Sequence, residues 1–425
     1  MKWVLVLVLA LTPASAAAFM TDRSDMVPAG RLIRATELAI GRVGRQPHLL
    51  YRLARLHYMA GFLGDSEEVE RIFSQSDLVT YPRLESWRRA THDPSTPIST
   101  VAHVRMALDL FREALTLQPD HALAWLGLAS LVEQAEPSSA EVLGALPFEA
   151  TETVFTKAGP LHERWLRQAR AWYGQAAAVL ATRGMKVLTY AVPGDRERRT
   201  LTEEGLQFLE AADGWHRLGR RFRIADRPAW APTERQMRAV ARHDKPISIY
   251  NYVTPIILPL QANVGLDAMR APNRTVTFDL DGTGPRAWTW LHATAGILVW
   301  DPDRGGVVQS GHRLFGTVAW RLWWSDGYEA LAQLDDNGDG WVQGSELRGL
   351  AVWQDQDGNG RSDPGEVRPV AAWGIAALAT HWDCAEEHGL RSDQGLVMAD
   401  GSRRPTWDWF AEGGQGCQVL TLDTF

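Results

Sequence analysis

The residues best placed to do chemistry lie in the last third of the chain. Across the twelve positions from Asp335 to Glu346, Asp335, Asn337 and Asp339 stand at positions 1, 3 and 5, Gln343 at 9 and Glu346 at 12. Gly340 at position 6 permits a sharp turn, and Trp341 at 7 offers its backbone carbonyl. Alternating oxygen donors closed by a bidentate Glu suit a hard cation, and so large and flexible a shell favours calcium over magnesium. The pattern recurs downstream, with Asp355, Asp357 and Asn359 at positions 1, 3 and 5, the Arg361 carbonyl at 7, Asp363 at 9 and Glu366 at 12. Without a cation, so many like charges in one loop would repel each other.

Both stretches match the EF-hand loop pattern. Only eight residues separate Glu346 from Asp355, or about 12 Å of helix. That is too little chain for a pair with full entering and exiting helices. The expectation is two compact loops sharing one short helix, Leu347 to Gln354, with Val342 on a short strand paired to the sister loop. Such loops serve structure rather than the opening of a sensor groove. Two related segments lie upstream. Residues 279–284 carry Asp279, Asp281 and Gly282 but no closing Glu, and residues 301–312 carry Asp301 and Asp303 but run into His312 and Arg313. Neither is expected to hold calcium tightly on its own.

Residues from about 275 to 410 resemble a calcium-binding region of bacterial secreted proteins, some of them related to repeat-in-toxin proteins. The resemblance rests on Phe278-Asp279-Leu280-Asp281-Gly282, Leu314-Phe315-Gly316, Asp326-Gly327-Tyr328, the two loops, and Trp407-Asp408-Trp409-Phe410. The family normally carries a Glu where this chain has Arg313, a departure that weakens the case for an upstream metal site.

The elements that must carry these loops come next. From about residue 30 to 220 apolar residues recur at helical spacing. Ala107, Phe111, Ala114 and Pro119, followed by Trp125, Leu128 and Ala129, resemble a tetratricopeptide repeat. Looser echoes are Leu50, Leu53, Ala54 and His57, then Ala169, Tyr173 and Ala176. A generic α-helical bundle fits the same pattern. Helical repeats present a concave surface, so an unknown protein partner is expected on this domain. Arg217, Arg220, Arg221, Arg223 and Arg227 then form a basic run, read as a solvated face or a contact for an acidic partner. Ser248 to Leu260 is strand-like, interrupted by Pro255 and Pro259. The expected organisation is α+β and multidomain: a signal peptide at 1–18, an α-helical, tetratricopeptide-like domain at 19–227, a linker and strand-like join at 228–274, and an EF-hand-like calcium-binding domain at 275–425.

Composition fixes the setting. Lys2, the apolar run from Trp3 to Leu11 and the small residues Ala14 to Ala18 make a secretory signal pattern. A secreted or periplasmic bacterial protein is therefore expected, with no membrane span, since no other stretch reaches 18 apolar residues. Net charge of −7 argues against nucleic acid. Two cysteines cannot build a four-cysteine metal site, and in an oxidising compartment Cys384 and Cys417 are expected to pair. Twelve of the 19 Trp fall between Trp288 and Trp409, as core or as a platform for glycan. No G-x-S-x-G elbow, phosphate loop, HExxH or dinucleotide fingerprint is present. His381 and His388 flank Cys384, but its expected disulfide removes it from such chemistry. The reading is a non-enzymatic, exported calcium-binding interaction or scaffold protein. The alternative is a secreted glycan-active hydrolase or carbohydrate-binding protein with structural calcium, because an acid pair has no fixed spacing. A third is a dockerin-like module, which also pairs short calcium loops.

Overall fold

The computed structural model describes residues 27–60, 100–134, 158–183, 186–190, 198–201, 203–232, 252–282, 285–322, 324–412 and 417–419. The signal sequence expected at 1–18 lies outside them.

The N-terminal half is helical, as its periodicity requires. Its described helices are α1 (Ala29–Val43), α2 (Pro47–Tyr58), α3 (Thr100–Leu117), α4 (Ala122–Gln134), α5 (Ala158–Arg183) and α6 (Glu203–Arg221). Pro47 opens α2 at its first turn, where a missing N–H leaves nothing unpaired. Ala107, Phe111 and Ala114 share one face of α3 and are fully buried. Gly127 of α4 meets that face, and a Cβ there would stand 2.4 Å from the Phe111 ring. Gly214 of α6 repeats the device against Tyr173 of α5. Glycine thus lets each helix backbone close on an aromatic ring. The Trp125 indole donates to Pro119 O at 2.8 Å and ties the α3–α4 turn. Within the basic run, Arg217 reaches Glu133 of α4.

The C-terminal half is built on an antiparallel sheet of nine strands. They are β4 (Ile256–Pro259), β7 (Ala295–Trp300), β8 (Trp341–Gln343), β9 (Leu350–Trp353), β10 (Val367–Pro369), β11 (Ile375–Ala379), β12 (Cys384–Glu386), β13 (Gly389–Met398) and β14 (Arg403–Trp409). The order is β10-β9-β7-β4-β14-β13-β11-β8, with β12 also on β13. Period-two alternation gives the sheet two apolar faces. Ile256 and Leu258 of β4 and Leu350 and Val352 of β9 join the cluster that includes the helices. Ile257, Ala351 and Trp353 join a second cluster with the hairpin β5 (Arg270–Phe278) and β6 (Arg286–Leu291). Strands buried on both faces read as unbroken apolar runs, as β7 does with Ala-Gly-Ile-Leu-Val-Trp. A separate three-stranded sheet joins β1 (Lys186–Tyr190), β2 (Arg198–Leu201) and β16 (Cys417–Val419).

The strand-like stretch Ser248 to Leu260 is split at Pro255, as expected, into β3 (Tyr252–Val253), which pairs with β15 (Ala411–Glu412), and β4, an inner strand between β14 and β7 that Pro259 ends. Two expectations are corrected here. The shared helix expected at Leu347 to Gln354 is instead the strand β9. Gly349 breaks any helix there with φ of +88°, and all four β9 residues are buried. Val342 pairs with Leu378 of β11 rather than with the sister loop.

Candidate metal centre

The first loop follows a single-turn helix, α7 (Gly327–Ala332), capped by the Asp326 side chain on the Glu329 N–H. Asp335 accepts the Gly338 N–H at 2.7 Å through Oδ1 and the Gly340 N–H at 2.8 Å through Oδ2. Asn337 Oδ1 takes the Asp339 N–H, and Asp339 Oδ1 takes the Trp341 N–H. Asp339 Oδ2 accepts the Gln343 amide at 2.8 Å. Glu346 reaches back across the loop, its Oε1 to the Asp336 and Asn337 N–H groups and its Oε2 to that of Gln343. Gly338 and Gly340 hold the positive φ that the turns require. The chain winds around its own carboxylates, and Glu346 is buried at their centre.

The second loop repeats this winding without any helix. It is the turn of the β9–β10 hairpin, closed by the Trp353–Val367 pair. Asp355 accepts the Gly358 and Gly360 N–H groups at 2.8 Å, and Glu366 Oε1 accepts that of Gln356 at 2.7 Å. Asn359 donates its amide to both Asp357 and Asp363 at 2.8 Å. Arg361, at position 7, is exposed and donates its backbone N–H to Asn359 Oδ1. Among the described residues, Asp355, Asp357 and Glu366 form the one group of three acidic or metal-binding side chains whose ligand atoms all lie within 4.8 Å of one another. Burial pushes the Asp355 carboxyl upward, and the charge of Glu366 adds to the effect.

Trp290 and Trp353, packed with Phe278 and Trp409, form an aromatic floor under this loop. Their indoles turn upward: Trp290 donates to Asp355 Oδ2, and Trp353 to Glu366 Oε2 at 3.4 Å. The tryptophans Trp288, Trp300, Trp320, Trp324, Trp407 and Trp409 are likewise buried, while Trp382 is exposed. The concentration of Trp thus belongs to the core.

The upstream segments are arranged differently. Asp301 is buried, accepts the Gly306 N–H and faces Arg313 at 3.7 Å; Asp303 faces the same guanidinium at 3.9 Å. Burial raises the Asp301 carboxyl. Where a closing carboxylate would stand, the chain presents a cation. The His312 ring lies against Gly282, where a Cβ would be 1.9 Å from Nε2. Thr283 and Gly284 lie outside the described residues.

Some buried charged positions gave no sign of their partners in the sequence. Asp408 is fully buried on β14, accepts the Gly327 N–H at 2.9 Å, and its carboxyl is pushed far upward, by burial first and by Asp326. Its one trace in the sequence is a carboxylate between Trp407 and Trp409 on a strand. Arg31 and Arg52, buried on α1 and α2, were invisible because their partners lie in the other half. Cys384 is exposed with a free thiol, and the side chain of Cys417, its expected partner, lies outside the described residues. No described helix is long and apolar enough to cross a membrane.

Comparison with known proteins places this region. The SPM domain family matches residues 256–409, the span from β4 to β14. The iron-regulated protein FrpA of Neisseria meningitidis serogroup C is 33% identical over 136 residues, which cover 30% of this chain and 12% of that protein. The match therefore spans a small fraction of the relative's length.

Proposed function

We propose that the C-terminal half binds two calcium ions, one in each EF-hand-type loop, and that the ions fix the loops of an exported interaction or scaffold protein. The observation that carries this reading is the second loop. Calcium takes oxygens at 2.3–2.6 Å, so ligands across its shell lie up to about 5 Å apart. That is the span over which Asp355, Asp357 and Glu366 converge. The donors are all oxygens, and burying their charges without a counter-ion is costly. The Asn359 amide stands between two carboxylates as a cation would, and turning it presents its oxygen instead. The first loop offers Asp335, Asn337, Asp339, the Trp341 carbonyl, Gln343 and Glu346. The ions supply charge neutralisation; the backbone N–H groups supply the shape. The repeat-like helices would carry a protein partner, and residues 1–18 would direct export.

The test is thermal unfolding of the full chain. Calcium should raise the melting temperature with a concentration dependence set by linkage, and chelation should reverse it. Asp335→Ala and Asp355→Ala should each lower the melting temperature and remove one of two calcium equivalents in calorimetric titration. Identical melting in calcium and chelator would refute the reading.

A further inference from the structure

The helical half grips the outer shell of the first loop. Arg31, Arg34 and Arg42 of α1 are three and eleven residues apart and so share one helix face. Arg31 is 8% exposed. Its Nε lies 3.2 Å from Asp336 Oδ1, its Nη1 donates to Glu346 O at 3.3 Å, and its Nη2 donates to Leu334 O. Arg34 stands 3.9 Å from Asp336, and a Cβ on Gly338 would be 2.6 Å from Arg42 Nη2. Each contact avoids the ligand oxygens: Asp336 is position 2, Gly338 is position 4, and Leu334 and Glu346 contribute backbone carbonyls. The guanidinium spans the two ends of the loop, touching the carbonyl before Asp335 and that of Glu346.

A cation held by Asp335 at the loop's first position and Glu346 at its last would keep those same two ends together. From this we infer that calcium at the first loop and docking of α1 on that loop are coupled, so that the ion controls how firmly the helical half is held. The inference rests on the calcium reading above. Coupling is reciprocal: whatever calcium adds to docking, docking adds to calcium affinity. The second anchor lies outside the twelve loop positions: Arg52 of α2 pairs with Glu329 of α7 at 2.9 Å and lies over the Trp324 ring at 4.2 Å. The coupling is therefore read at α1, which touches the loop itself.

Arg31→Met gives a test whose sign decides. Removing a positive charge beside a cation site should tighten calcium by Coulomb's law alone; the coupling requires the opposite. Calorimetric titration of the full chain with calcium chloride should show one of the two equivalents weakened about fivefold or more, with the other unchanged. In the wild-type chain, amide hydrogen exchange in residues 29–43 should accelerate on chelation and in Asp335→Ala. It should stay slow in calcium-loaded Asp355→Ala, and residues 47–58 should stay protected throughout. The exchange arm holds even if Arg31→Met folds poorly. Calcium binding with exchange of 29–43 indifferent to the ion, or tighter binding by Arg31→Met, overturns the coupling alone. No calcium binding to the wild-type chain overturns both it and the reading it rests on.

Discussion

Trp290 donates its indole N–H to Asp355 Oδ2 at 2.5 Å, so the carboxylate that opens the second loop is held by the aromatic core beneath it. A hydrogen bond to a buried carboxylate contributes about 1.5–3 kcal/mol, and losing it leaves the charge under-solvated. Trp290→Phe should therefore lower stability in urea by that order and weaken calcium at one of the two sites. An unchanged urea midpoint in chelator would show that the bond carries no stability.

Asp408 sets a pH slope. Its carboxyl is raised in the folded protein, by burial first, and Asp326, the cap of α7, adds to it, while Gly327 donates to the ionised form. The unfolded chain releases this proton at about pH 3.9, while the folded chain keeps it to higher pH. The stability it contributes is complete below the unfolded value and is lost as pH rises toward the folded one. Asp408→Asn should flatten that decline in urea midpoints measured from pH 4 upward. Parallel profiles for the two proteins would contradict it.

The His57 and His103 pair acts in the opposite sense. Their Nδ1 atoms lie 2.8 Å apart in the helical core, one donating and one accepting. Burial lowers both, His57 well below its usual range and His103 to about 4. Stability from neutral His103 is complete above the unfolded value, about 6.5, and falls as pH drops toward 4. Its loss by pH 5 is on the order of 2 kcal/mol. Far-UV ellipticity in urea should report this loss, and His103→Gln should lessen it. Equal acid sensitivity of the variant would refute the assignment.

Arg313→Glu removes the cation facing Asp301 and Asp303. Three carboxylates would then crowd one corner, with Asp301 buried in it. The variant should melt below the wild type in chelator and regain more of that loss in calcium than the wild type gains. A variant equally stable in chelator would show that the ion pairs are idle.

Gly127→Ala should cost about 1–3 kcal/mol by overpacking, because the new methyl would meet the Phe111 ring at 2.4 Å. Phe111→Leu in the same chain should recover part of that loss, as read from urea midpoints. Additive losses would place the defect elsewhere.

What could be read from the sequence follows the range of the interaction. The two wound acidic loops were legible because their carboxylates, turn glycines and closing Glu lie within twelve residues of one another. The helical half was legible because periodicity is local. The strand β9 was misread as a helix because eight residues of mixed pattern do not separate the periods; Gly349, whose Cβ would stand 2.5 Å from the Trp300 ring, decides the matter only in three dimensions. Arg31 and Asp336 are 305 residues apart, and no local pattern announces such a pair.

The pairing of β1 with β16 has a consequence for dissecting the chain. Lys186 to Leu188, from the helical half, align with Cys417 to Val419. The chain that follows the nine-stranded sheet therefore returns to the helical half. A cut near residue 250 would not separate two self-contained pieces. It would strip β16 of its neighbour and leave a bare edge open to association with other chains. A fragment that loses both flanks of that ribbon is the better choice for isolating the two acidic loops.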